Sequence, residues 1–219
     1  MHHNPIKLYD YYRSSASFRV RIALNIKNLA YDTIPVHLLN QGGEQFLPTY
    51  RQLNPHSLVP TLDDGGKVLT QSLAIIEYLE ELHPEPALLP QDPYHKALCR
   101  AFALSIAADM HPINNLRVLT YLTQELGLSE EKKMQWYYHW MQKGLAALET
   151  QLVSSPFLGK CCVGDTPTLA DICLVPQLYN ARRFQCDLSA YPTLVRVDAH
   201  CQTVASFIKA WPETKEKSV

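Results

Sequence analysis

Four prolines fall within residues 84–94, PEPALLPQDPY, and the character of the chain changes across them. Each proline fixes φ and removes an N–H donor, so neither a helix nor a central strand runs through such a stretch. The 219-residue chain is therefore read as two folding units, residues 1–83 and 95–219, joined by a stiff linker at 84–94. Hydrophobic residues make up 47% of the chain, enough for each unit to bury a core of its own. No apolar run reaches the roughly 20 residues that a membrane helix needs, and MHHNPIKLYD at the N-terminus has no apolar signal core. A cytoplasmic location is expected. A net charge of −1 leaves no excess of cations for a nucleic-acid partner.

Ahead of the linker, strand and helix patterns alternate. IKLYD reads as a short strand and SFRVRIALNIKN as a helix, with Phe18, Ile22 and Ile26 four apart on one face. AYDTIPVHL is a second strand. LVPTLDDGGKVLTQ predicts two strands turning at Asp64-Gly65-Gly66. SLAIIEYLEELHP predicts a helix capped by Ser72, with Ile75, Tyr78, Leu79 and Leu82 facing inward and Pro84 ending it. A helix joining the first two strands makes them parallel, and the hairpin adds antiparallel strands. The outcome is a four-stranded mixed sheet with helices on its faces.

Past the linker the strand signals vanish. Leu98, Phe102 and Ile106 begin one helical stripe, and Met141, Leu145, Leu148 and Leu152 mark another within 130–153. Thr168 and Asp171 are spaced as a capping box ahead of a further helix, and another is expected near Pro192–Thr193. The second unit is expected to be all-helical. Six cysteines occur without a C-x-x-C pair, which favours reduced, buried thiols. The adjacent Cys161 and Cys162 lack the spaced partners of a soft-metal site, so no metal is expected. The His2–His3 pair is assigned no function.

Three stretches suggest a ligand. In YYRSSASFRVRIAL the serines Ser14, Ser15 and Ser17 precede or begin a helix. Hydroxyls and free N–H groups there favour an anion such as a thiolate. Capping by Ser17 explains one serine but not three. In NPHSLVPTL, Val59–Pro60 ahead of a strand either exposes the Val59 backbone to a ligand or is an ordinary loop proline. Gln71 and Ser72 sit at a helix N-terminus, where a carboxylate is favoured and where Ser72 also suits a cap. Helix N-termini of a β-α-β unit gather at the carboxyl ends of the strands. One ligand meeting Ser14, Val59 and Ser72 would be extended, peptide-like and anionic.

This order of strand, serine-rich turn, helix, V-P, hairpin and Q-S resembles the glutathione-binding domain of cytosolic glutathione transferases. RSSASFRVRIAL, LNPHSLVPTL, QSLAIIEYLEE, LLPQDP, GDTPTLADICLVPQ and NARRF are similar to the zeta class, over about residues 6 to 210. The resemblance implies a thioredoxin-like α/β N-terminal domain, an all-α C-terminal domain, glutathione as cofactor and a homodimer. It implies that Ser14 and Ser15 are catalytic beside the glutathione sulfur, Ser14 foremost, within a contact run Ser14, Ser15, Ala16, Ser17, Phe18 and Arg19. Gln45 and the Val59 backbone would hold the cysteinyl and glycyl parts, and Gln71 and Ser72 the γ-glutamyl end. Asn115, Leu116 and Arg117 would approach from the helical domain. Arg183, and after it Arg13, would bind a substrate carboxylate. Arg182 reads as an extra, solvated cation, and Arg19 as a cation covering surface. The family turn usually reads S-S-C, and here Ala16 replaces the cysteine. The implied reaction is glutathione-dependent cis–trans isomerisation of maleylacetoacetate to fumarylacetoacetate, in tyrosine and phenylalanine catabolism. Conjugation or dehalogenation of small α-halo acids is the alternative, and a non-catalytic binding module a third.

Overall fold

The computed structural model describes residues 5–216; the His2–His3 pair lies outside them. The chain forms two compact units, one of residues through Leu88 together with those from Thr203 onward, the other of Leu89–Gln202.

The first unit is built on β1 (Ile6–Asp10), α1 (Ser15–Ile26), β2 (Tyr31–Pro35), α2 (Pro48–Leu53), β3 (Thr61–Asp64), β4 (Lys67–Thr70) and α3 (Ser72–Leu82). The sheet order is β2-β1-β3-β4, with β1 parallel to β2 and antiparallel to β3. This is the mixed sheet that the β-α-β and hairpin order dictates. Asp64 pairs with Lys67, so Gly65 and Gly66 alone make the turn, at φ of 60° and 94°. Both angles are left-handed, where a Cβ is strained and glycine is not. Leu8 and Leu62, paired across β1 and β3, are buried together with Phe18, Ile22, Ile75 and Leu79 of the helices. Leu82 departs from the expected inner face of α3 and is 51% exposed, because the buried set is Ser72, Ile75, Ile76 and Leu79.

The second unit holds α4 (Pro93–Leu104), a π-helical turn (Ser105–Met110), α5 (His111–Ile113), α6 (Leu116–Gln124), α7 (Glu130–Val153), α8 (Leu169–Arg183) and α9 (Pro192–Cys201). Asp92 and Ser129 cap α4 and α7 by accepting from the amides of His95 and Lys132. Helix α8 runs through the core, with Ile172, Leu174, Val175 and Leu178 fully buried. Its start is the Thr168–Asp171 capping box. The Asp171 carboxylate accepts from the amides of Thr168 and Cys162, both at 2.8 Å, and from the Thr168 hydroxyl. Among the described residues no helix is long and apolar enough to cross a membrane.

The chain then adds α10 (Ala205–Ala210) and α11 (Pro212–Glu216). From Thr203 onward it belongs to the first unit, whereas the sequence reading assigned it to the helical one. The reason lies in α1, which is buried along most of its length and needs a second cover. Arg21 and Asn25 donate to the carbonyls of Ala210 and Ser206, and Phe18 meets the Trp211 ring edge-on at 5.4 Å.

Candidate functional site

The serine-rich turn lies between β1 and α1. The Ser14 amide donates to the Tyr11 carbonyl at 2.8 Å, and the Ser14 Oγ accepts from the Ser17 amide at 3.2 Å. The N-cap of α1 is thus Ser14, not Ser17, and Ser15 is the first helical residue. Ser17 is fully buried in the first turn, and its Oγ has no partner among the described residues. Ala16 is half-buried between them, and Phe18 points into the core. Arg19 is only 1% exposed, so it does not cover surface as expected. Its Nη1 donates to the Ser72 Oγ at 3.3 Å, which brings the two helix starts together.

Ser72 is therefore not the cap of α3 but its first residue, acting as an acceptor for Arg19. Gln71 occupies the cap position at φ 69° and ψ 115°, with no side-chain capping bond. Such a conformation costs a non-glycine residue of order 1–3 kcal/mol and is concentrated at functional sites. The first amides of α3 are left for another acceptor, at the positive end of the helix dipole.

Gln45 and Val59 flank a second part of the same unit. Gln45 lies in a short 3-10 turn, Glu44–Phe46, and is buried. Its Nε2 donates to the Leu38 carbonyl at 3.4 Å, while its Oε1 has no partner among the described residues. Gly43, at φ 108°, makes room: a Cβ there would stand 2.6 Å from the Gln45 amide. Val59 packs with Tyr11, Val36 and Tyr50, and Leu38 lies against this cluster, so the serine turn, Val59 and the Gln45 anchor share one support. The Val59–Pro60 bond is cis. The Tyr50 hydroxyl and Asn54 Nδ2 both donate to the Leu58 carbonyl, at 2.6 and 2.7 Å. Sequence reasoning missed both residues; the Asn54-Pro55 pair is a turn signal that marks one of them.

In the helical unit, Asn115 caps α6 by accepting from the Arg117 amide at 3.1 Å, and Leu116 and Arg117 are exposed. Arg183 ends α8 and is exposed. Its Nε donates to Asn180 Oδ1 at 3.3 Å, and its guanidinium lies 4.7 Å from the Phe184 ring. It makes no ion pair among the described residues. Arg182 is exposed, as expected, but it also pairs at 2.6 Å with Asp198, whose carboxylate is fully buried. Burial pushes the Asp198 pKa up and Arg182 pulls it back. Arg13, in the first unit, is half-buried, with its guanidinium 4.9 Å from the Tyr12 ring.

Cys161, Asp171 and Cys201 place their ligand atoms within 4.8 Å of one another, all buried. Asp171 is already engaged in the capping box. Burial raises the Cys162 pKa, and a hydrogen bond with Cys161 followed by burial raises that of Cys201. The Cys162 and Cys201 thiols therefore stay protonated and act as core side chains.

Residues 8–87 match the glutathione S-transferase N-terminal domain, and residues 139–206 match the C-terminal domain. A Vibrio cholerae protein named probable maleylacetoacetate isomerase is 51% identical over 208 residues, covering 95% of this chain and 96% of its own. The solved holo structure of a maleylpyruvate isomerase, described as a bacterial zeta-class glutathione S-transferase, superposes with a TM-score of 0.91 at 47% identity, over 94% of this chain and 96% of that one. A maleylacetoacetate isomerase from Anaeromyxobacter dehalogenans, solved with dicarboxyethyl glutathione and citrate in its active site, gives 0.83 at 42% identity, over 95% of each chain. With both domain models matched and half the residues shared with a full-length relative, this chain belongs to the glutathione S-transferase family, in its zeta class.

Proposed function

We propose that this protein is a glutathione-dependent cis–trans isomerase that converts maleylacetoacetate into fumarylacetoacetate in tyrosine and phenylalanine catabolism. The observation that carries the reading is the junction of two helix starts in one sheet unit, where the Ser14 turn and the uncapped N-terminus of α3 are linked through Arg19 and Ser72. The Vibrio and Anaeromyxobacter proteins named for this isomerase support the substrate.

The residues present fit glutathione. A γ-glutamyl carboxylate suits the free amides of α3 beside Gln71 and Ser72. The orphaned Gln45 Oε1 and the Val59 backbone suit the peptide part, and the run from Ser14 to Arg19 the sulfur. When bound, glutathione supplies a thiolate that adds reversibly to the cis double bond, so that rotation and loss of the thiolate give the trans product. The Ser14 hydroxyl donates a hydrogen bond to the sulfur, with Ser15 and the α1 N-terminus beside it, and so holds the thiol ionised. Ala16 leaves no protein thiol in the turn, so a hydroxyl alone serves. Arg183, unlike Arg182, has no carboxylate partner among the described residues and binds the substrate's; Arg13 is second in line. Asn115, Leu116 and Arg117 complete the set.

The protein acts as a homodimer, for which Leu39, Phe46 and Leu47 offer exposed apolar surface in the first unit. Six free cysteines, five of them buried, suit a reducing cytoplasm. The test is stoichiometric. With substrate in large excess over glutathione, many turnovers and full recovery of glutathione support isomerisation. Loss of one glutathione per product overturns it in favour of conjugation.

A further inference from the structure

Arg21 is a buried cation one helical turn past the serine-rich segment, and sequence reading gave it no role. Its side chain is 0% exposed. The guanidinium fork reaches three segments of the first unit. Nη1 donates to Asp10 Oδ1 at 2.6 Å, Nη2 to the Tyr12 carbonyl at 2.9 Å and Nε to the Ala210 carbonyl at 3.0 Å. The Phe18 ring lies 5.2 Å from it. Asp10 is the last residue of β1, and its carbonyl accepts from the Val36 amide at 2.8 Å, which ties the same point to the chain leaving β2.

The Tyr12 contact is the informative one. The bond from the Ser14 amide to the Tyr11 carbonyl closes a four-residue turn with Tyr12 and Arg13 at its centre. The orientation of the peptide between those two residues separates the main turn types, which differ by a flip of that unit. Tyr12 supplies its carbonyl, and Arg21 holds that carbonyl from the buried side. The peptide is planar and trans, so the Arg13 amide is fixed on the opposite side. We infer that Arg21 is a positioning residue for the thiolate-stabilising turn: it locks the Tyr12–Arg13 peptide and thereby the approach of the chain to Ser14. Lysine cannot replace it, because one ammonium does not span three acceptors in the plane of a guanidinium.

This inference rests on the glutathione reading, and the experiment separates the two. The ultraviolet absorbance of bound glutathione thiolate is titrated with pH, and kcat and KM are measured, for wild type, Arg21→Lys, Arg21→Gln, Asp10→Asn and Lys27→Met. Lys27 is another buried cation, at the end of α1, held by Glu80 and the carbonyls of His83 and Pro86, away from the turn. The Arg21 variants are expected to titrate the thiol at higher pH and to lose about 10-fold or more in kcat, with the KM for glutathione moving less than about threefold. Asp10→Asn loosens the same clamp and shifts the titration the same way, which serves if an Arg21 variant does not fold. Lys27→Met loses stability and keeps the wild-type titration. Folded Arg21 variants with wild-type titration and kcat overturn the inference alone, as does a Lys27→Met shift equal to theirs. A wild type that forms no glutathione thiolate overturns the glutathione reading and this inference with it.

Discussion

Ser14 has two tasks that different substitutions separate. As the cap of α1 its Oγ accepts from the Ser17 amide, and in the proposed role its hydroxyl donates a hydrogen bond to the sulfur. Ser14→Asp keeps an acceptor at the cap but sets a carboxylate against the thiolate, so it retains thermal stability and loses turnover. Ser14→Ala loses the cap, at about 1 kcal/mol, and turnover by about 100-fold. Melting curves and initial rates on the pair check this. For the substrate carboxylate, Arg183→Ala is expected to raise the isomerisation KM by about 10-fold or more, the scale of one charge-assisted bidentate contact, with glutathione affinity unchanged. Equal effects on both would remove Arg183 from that role. That the serines, Gln71 and Ser72 stand at helix starts was legible because helix-start chemistry is local; which of them occupies the cap was not, since Ser14 and Gln71 take the places expected for Ser17 and Ser72. Arg19 was misread, and the partner of the exposed Arg182 missed, because their surroundings are set by Ser72 and Asp198, which lie elsewhere in the sequence. A cation's burial is a tertiary property that spacing does not encode.

At the level of elements, the sheet, its hairpin and the α8 capping box followed from patterns of a few residues. The second cover of α1 did not. Residues beyond Thr203 join α1 mainly through backbone carbonyls, those of Ser206 and Ala210, which no residue type announces. The link between α1 and the end of α3 is similar in kind: Lys27 meets Glu80 and two carbonyls. Lys27→Met leaves the largely buried Glu80 carboxylate without its cation. Breaking a buried pair from one side costs about 3–5 kcal/mol, so the urea midpoint falls accordingly; a change below about 1 kcal/mol, the range of an exposed pair, would show that this contact does not join the helices.

For the whole molecule, burial makes stability sensitive to alkali. Burial raises the Cys186 thiol from 9.0 to about 11 and the Tyr31 hydroxyl from 10.0 to about 12. In each case the unfolded chain releases the proton first. The contribution is therefore intact below the unfolded value and is lost as pH rises through the folded one. Thermal midpoints are expected to fall steadily from about pH 9 to about pH 12, and Cys186→Ser to flatten the lower part of that slope. The two-unit plan itself was readable from the prolines and from the switch in periodicity. The assignment of the C-terminal segment was not, because it depends on which surface remained open after α1 and α3 had packed.

In the proposed reaction glutathione, activated at the Ser14 turn, is needed for isomerisation but not consumed by it. The initial rate of maleylacetoacetate isomerisation, followed spectrophotometrically with and without glutathione in wild type and Ser14→Ala, tests it most directly. Saturable, glutathione-dependent turnover is expected in the wild type, collapsing in the variant. Turnover without glutathione, or none with glutathione bound, would contradict it.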